Sequence, residues 1–390
     1  MAAVVLVLTV FSLVIWIGLL TLRGQFWRCD RQLEVAEIPL SSLPRICAVI
    51  PARNEADLLP ISLRSLLLQD YPGDLNVFLV DDRSNDGTAD FAQGVAYALN
   101  KPNQLHIISG KSLPPGWSGK LWAVEQGIQL ATDFAPDYFL LTDADIEHDV
   151  SSLRRLVAKA EQEDLDMVSV MVRLRCQSFW EQLLIPAFVF FFQKLYPFRW
   201  VNNPKNPTAA AAGGSILIRT AALEKIGGIG AIKQALIDDC ALAKAVKGYG
   251  GQREGRIWLG LSALTRSLRP YPNLETIWQM VARTAYTQLN YSPVLLVGTV
   301  LAMTLIYLIP PLTTIFGLLT LNWAIALLGL SAWLLMSVAY YPTIRFYKCP
   351  SWLTFCLPAI AFLYTLMTVD SAIRHWQGRG GAWKGRVYPG

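Results

Sequence analysis

The 390-residue chain is 53% apolar and only 16% charged, a balance that excludes an ordinary wholly soluble protein and leaves room for one large domain plus membrane elements. Its net charge of +5 is carried largely beside hydrophobic stretches, which points to anionic headgroups and away from nucleic acid as a partner. Six scattered cysteines without a C-x-x-C pair argue against a disulfide scaffold or structural zinc, and three distant histidines (His106, His148, His375) against a histidine metal site.

Residues 2–22 carry no charge and are long enough to span a bilayer. Arg23, Arg28 and Arg31 follow and no basic side chain precedes, so residues 1–23 read as an uncleaved anchor. The positive-inside rule then puts the next domain on the cytoplasmic side of the cell (inner) membrane. Residues 24–44 read as a linker. From 45 to 270, apolar runs at 45–50, 75–80, 105–108, 138–142, 167–172 and 215–218 alternate with helical patterns. That alternation predicts an α/β domain, Rossmann-like, with a mostly parallel sheet covered on both faces. Polar residues cluster after the strands, where such sheets bind ligands.

Residues 179–198 contain an apolar run too short to span, flanked by Trp180, Tyr196 and Trp200; this fits an interfacial helix on the membrane or a buried core helix. The small residues 209–214 mark a place where something approaches the backbone closely. Asp238 and Asp239 open a helix, where carboxylates suit the positive end of its dipole. Residues 271–292 form an amphipathic connector, and 293–370 hold about three spans, divided near 320–323 and at 352. A basic tail, 371–390, closes the chain. Three crossings from a cytoplasmic domain would leave that tail outside, so either the tail breaks the charge rule or one segment is re-entrant or interfacial; a cytoplasmic tail is the favoured reading.

The sharpest chemical signal is Asp143-Ala144-Asp145 at the end of a buried strand. Alternate residues of an extended chain share a face, so two carboxylates point to one place. A divalent cation carrying phosphates, Mg²⁺ or Mn²⁺, relieves their repulsion; a solvated strand-end turn is the plain alternative. Two decoys fail: Lys111-Ser112 lacks the upstream glycine of a P-loop, Leu105 standing in its place, and the Gly227–Gly230 run follows a helix instead of a strand.

In order and spacing, the run 51–55, the Asp81-Asp82 to Gly87-Thr88 segment, Asp143/Asp145 and Asp238-Asp239 resemble the family 2 glycosyltransferases of the GT-A fold. The stretches 114–124, 140–146, 171–175, 184–192, 208–214, 237–243, 280–286 and 383–386 are similar to the hopene-associated glycosyltransferases of bacterial hopanoid gene clusters, over nearly the whole chain. The resemblance implies a nucleotide-sugar donor, UDP-linked, and a lipid acceptor such as a hopanoid. It implies that Asp81 and Asp82 hold the base and ribose, that Pro51, Ala52, Arg53 and Glu55 line the same pocket, and that Asp143 lies near the ribose. Asp145 would ligate the metal, and Asp239, beside Asp238, would be the general base of an inverting transfer.

The Gln-x-x-Arg-Trp pattern of related lipid glucosyltransferases is altered here. Gln279 and Arg283 stand four apart, on one helix face, with no tryptophan after Arg283. Arg283 and Lys120 are read as donor contacts; Arg173, Arg175, Lys384 and Arg386 are phosphate or headgroup contacts or ordinary solvated charge. A glycerolipid, carotenoid or polyprenyl phosphate acceptor, a processive polysaccharide synthase and an inactive scaffold are the rival readings.

Overall fold

The computed structural model describes residues 2–33, 42–248 and 255–379, with the backbone of 382–383 and 386–387. Lys384 and the side chain of Arg386 lie outside the described residues, as do most of the expected linker and tail.

The expected strands form as β1 (Ile46–Ala52), β2 (Leu75–Asp81), β3 (Leu105–Ser109), β4 (Tyr138–Thr142), β5 (Ile146–Glu147), β6 (Met167–Arg173), β7 (Ser215–Arg219) and β8 (Ile257–Ser267). They make one sheet in the order β3-β2-β1-β4-β7-β6-β8-β5. Pairing is parallel for β1/β2, β2/β3, β1/β4 and β6/β8, and antiparallel where β7 enters between β4 and β6 and where β5 meets β8. Both faces are covered, which is why the strands read as continuous apolar runs. In β1, Ala48 and Ile50 face the layer holding Leu59, Leu63, Leu153 and Leu156; Cys47 and Val49 face the layer with Leu121, Val124 and Phe190.

After the first helix, α1 (Ala2–Leu22), α2 (Leu59–Leu67), α3 (Thr88–Ala98), α4 (Gly119–Ala131), α5 (Ser152–Gln162), α6 (Phe179–Leu195), α7 (Phe198–Val201), α8 (Thr220–Lys225) and α9 (Asp238–Gly248) surround the sheet. The helical part follows as α10 (Leu274–Ala282), α11 (Pro293–Met303), α12 (Ile309–Leu319), α13 (Trp323–Phe346) and α14 (Leu357–Trp376). Four helical stretches among the described residues are long and apolar enough to cross a membrane: Ala2–Leu22, Pro293–Leu319, Trp323–Phe346 and Ser351–Trp376. The third C-terminal stretch thus runs beyond residue 370, where the sequence pattern ends it.

α6 joins the two parts. Leu184, Ile185, Val189 and Phe190 are fully buried, in one core with Tyr340 of α13, Met367 of α14 and Trp16 of α1. Ser178 and Glu181 cap its start, and α10, α13 and α14 pack against it, while Phe179 and Leu195 at its two ends are exposed. Residues 24–33, expected as linker, are packed as well: Phe26 is buried against Phe190 and Gln32 bridges to Leu261 of β8.

Candidate active site

The ends of β1, β2 and β4 bring their polar segments to one edge of the sheet, since Ala52 pairs with Asp81 and β1 also pairs with β4. The aspartate-rich segment after β2 is partly a turn. Gly87 has φ +84°, a conformation that glycine adopts without strain, and Asp86 accepts from Thr88 and from the Ala56 backbone N–H (3.0 Å). Arg53 Nη1 donates to the Asp82 carbonyl (2.6 Å) and faces the Asp82 carboxylate at 3.6 Å. Asp82 is buried, whereas Asp81 is half-buried and accepts from the Ser84 N–H.

Beside these strand ends opens a cleft of about 680 Å³. Pro51, Glu55, Lys120, Asp143, Asp145, Asp238, Asp239 and Arg283 all line it. Ala52, Arg53, Asp81 and Asp82 do not; they sit at the adjoining ends of β1 and β2.

Within the cleft, charges come in matched groups. Lys120, in the first turn of α4, lies 2.9 Å from Asp143 and 3.1 Å from Asp238. Burial disfavours its charge, but the two carboxylates outweigh that and hold its pKa above the ordinary lysine value. Burial pushes the Asp143 pKa up, against Lys120 and with Asp145. Asp145 Oδ2 accepts from Ser267 Oγ and Arg269 Nε, both at 3.0 Å, and Arg269 also reaches Glu55 at 2.6 Å.

Asp239 is held differently. Its two oxygens accept from the backbone N–H groups of Gly213 (2.9 Å) and Cys240 (2.7 Å). Burial and then the neighbouring Asp238 push its pKa up to about 6, against Lys120 and these N–H bonds. In the small-residue run the tight position is Gly214, where a Cβ would stand 3.0 Å from Val172 Cγ2 and 3.3 Å from Ile146 Cδ1. A carboxylate fixed by main-chain donors, with a pKa near neutrality, can accept a proton from a hydroxyl at physiological pH.

His148 is buried against Thr142, and burial drives its pKa down to about 4; it is a neutral brace for the end of β4. Sequence reading missed Arg269, Ser267, Arg374 and Arg379 as site residues, and Glu181 as a buried support outside the cleft. Glu181 is wholly buried and accepts from Arg175 and from the backbone of Gln177, Ser178 and Tyr271, tying α6 to the chain entering α10. Its place in a capping box, Ser178 followed by Glu181, was the available signal.

No cluster of three or more histidine, cysteine or acidic residues arranged to hold a metal occurs among the described residues. The donor set nevertheless fits Mg²⁺ or Mn²⁺ bound with a diphosphate, which needs only one or two protein carboxylates, here Asp145 and Asp143.

Residues 47–227, just under half of the chain, match the family model described as Glycosyl transferase family 2. The undecaprenyl-phosphate mannosyltransferase of Micrococcus luteus is 30% identical over 122 residues, 31% of this chain and 46% of that protein, so the match spans about half of the relative's length. The mannosyltransferase PcManGT from Pyrobaculum calidifontis, solved in complex with GDP-Man and Mn²⁺, superposes over 95% of this chain and 99% of its own, with a TM-score of 0.55 at 17% identity. Residues 47–227 thus match the family 2 glycosyltransferase model, and the chain has the GT-A fold with helices long and apolar enough to cross a membrane.

Proposed function

We propose that this protein is a membrane-bound inverting glycosyltransferase that moves a hexose from a nucleotide sugar to a lipid acceptor. The observation that carries the reading is the placement of Asp239, on main-chain donors in one cleft with Asp143 and Asp145, where α6 and α10 supply apolar wall residues Phe188, Phe192 and Met280. The donor diphosphate lies toward Lys120, Arg269 and Arg283, with the base and ribose toward Asp81, Asp82, Arg53 and Pro51. Asp239 takes the proton of an acceptor hydroxyl as its oxygen attacks the anomeric carbon. The bond from that carbon to the diphosphate oxygen breaks on the opposite side, and the nucleoside diphosphate leaves.

Mg²⁺ or Mn²⁺ held by Asp145, with Asp143 alongside, would offset charge on the leaving diphosphate. Lys120 and Arg269 now carry that balancing role, and both have phosphate as an alternative partner. Mannose is the hexose named for both relatives, and GDP-mannose stands beside the UDP-sugars as donor. For the acceptor, a polyprenyl phosphate, named for the Micrococcus relative, stands beside the hopanoid implied by resemblance.

The contacts of α14 support a cytoplasmic tail. Cys349, in the turn after α13, lies 3.5 Å from Cys176 of the domain. At the middle of α14 Tyr364 donates to the Leu184 carbonyl of α6, and toward its end Ser371 donates to Ala282 of α10. A segment tied to the domain before, at the middle and toward the end of this helix lies along it. Phe362, Leu366 and Ile373 are exposed on its other side and face lipid. Three crossings then remain, and Arg23, Arg345, Lys348 and Arg374 fall on one side.

Labelled GDP-mannose and UDP-sugars, offered to the protein in nanodiscs with native lipids and Mn²⁺, should yield an organic-soluble product that disappears with a chelator. Donor turnover into a soluble acceptor alone would sink the lipid reading. A tag after residue 390 should be protected in right-side-out cells; labelling it from outside would refute the orientation.

A further inference from the structure

The cleft holds more positive charge than the donor reading uses. Arg374, in the last turn of α14, and Arg379, just beyond it, line the same cavity as Asp239, together with Arg283 from the end of α10. Arg374 is aimed: its Nη2 lies 2.7 Å from Asp370 Oδ2, which also accepts from Trp278 Nε1 at 2.6 Å. Ser371 fixes the same rim, donating to the Ala282 carbonyl (2.5 Å) and accepting from the Tyr286 N–H (3.0 Å). Among the described residues neither Arg283 nor Arg379 takes part in an ion pair, whereas Lys120 and Arg269 are matched by carboxylates at the sheet end.

The three guanidinium groups come from the C-terminal ends of α10 and α14, two helices that pack together, and line the cleft with Phe188 and Phe192. Guanidinium forks match phosphate oxygens in pairs. A neutral lipid headgroup entering this end would strip water from cations and return no charge.

We propose that Arg283, Arg374 and Arg379 form an anion subsite for the acceptor, whose class is a lipid carrying a phosphate at or next to the attacking oxygen. This rests on the glycosyl-transfer reading above and moves Arg283 from the donor to the acceptor. Two chemistries share the subsite. A lipid phosphate monoester attacks through its own oxygen, forming a carbon–oxygen bond to the anomeric centre while the nucleoside diphosphate leaves, and no proton need pass to Asp239. A hydroxyl on a phospholipid headgroup makes the same exchange but gives its proton to Asp239.

Pairs with and without a phosphate test this: prenol against prenyl monophosphate, and diacylglycerol against phosphatidylglycerol, whose headgroup adds glycerol hydroxyls along with the phosphate. Binding to the full chain is read by native mass spectrometry without donor, and transfer from labelled GDP-mannose or UDP-glucose in phosphatidylcholine nanodiscs. We expect the phosphorylated member of at least one pair to bind at least tenfold more tightly. In the Arg374→Gln/Arg379→Gln variant that preference should fall below threefold, with the lipid KM rising far more than kcat changes; Arg374→Lys/Arg379→Lys should keep part of it. Equal binding within both pairs, or equal losses for both members in the variant, would overturn the subsite. Transfer to prenol or diacylglycerol untouched by the substitutions would overturn the subsite and leave the transferase reading standing. A binding preference without transfer from any donor would do the reverse.

Discussion

The two ends of the cleft solve opposite electrostatic problems. At the sheet end, carboxylates outnumber cations, and each cation is shared: Lys120 between Asp143 and Asp238, Arg269 between Asp145 and Glu55. At the membrane end, arginines face apolar walls, and only Arg374 is matched by a carboxylate, Asp370. The first end thus keeps an excess of carboxylate, which a divalent cation arriving with the diphosphate would offset. The second carries an excess of positive charge, which suits an anionic group. Asp239 sits with the first group, where burial and Asp238 raise its pKa to about 6 against Lys120 and the N–H groups that hold it.

The most severe way to break this division is to remove the base. Asp239→Asn keeps the shape and loses the proton acceptor, so kcat for a hydroxyl acceptor should fall by about 10²–10⁴ while donor affinity holds. Label transfer and donor titration measure the two quantities. A wild-type rate with a phosphate monoester in the same variant would assign attack to the phosphate oxygen, because that nucleophile needs no base.

The division is sharpened by two substitutions of opposite sign. Asp239 works deprotonated, so transfer to a hydroxyl acceptor should drop tenfold per pH unit below about 6 and level off above it. Asp238 raises that pKa and Lys120 lowers it. Asp238→Asn should therefore move the limb to lower pH and Lys120→Met to higher pH, each by about a unit. Shifts in the same direction would mean that the limb belongs to another group. Lys120→Met should also loosen the fold, since it leaves three carboxylates together without their cation.

How much of this was readable depended on sequence distance. The strands were legible because a sheet covered on both faces demands unbroken apolar runs, and the strand-end carboxylates because alternation puts Asp143 and Asp145 on one side. Asp238 and Asp239 were legible as the start of a helix. What was not legible comes from pairings across the chain. Arg269 meets Glu55 over 214 positions, and Asp370 meets Trp278 over 92; no local pattern announces either. α6 kept two readings, because apolar content alone does not say whether lipid or protein covers a helix. α13 and α14 pack on its middle and leave Phe179 and Leu195 exposed, contacts that no local pattern foretells. The rim arginines looked like tail charge until α14 turned its last turn into the cleft.

The mildest prediction separates the two ends from the scaffold between them. Tyr364 Oη donates to the Leu184 carbonyl at 2.9 Å, and its ring stands 5.0 Å from that of Phe191. Tyr364→Phe keeps the ring and loses one buried hydrogen bond, at a cost of about 1 kcal/mol. The melting temperature in detergent should fall by about 2 °C. Lipid KM should change less than twofold, since Asp370 with Trp278 and Ser371 with Ala282 hold the arginine rim independently of the helix middle. A lipid KM that rose along with the loss of stability would show instead that α14 shifts as one rigid rod. The membrane end would then owe its geometry to the whole length of α6, and the boundary between the acidic and basic ends would lie within that helix.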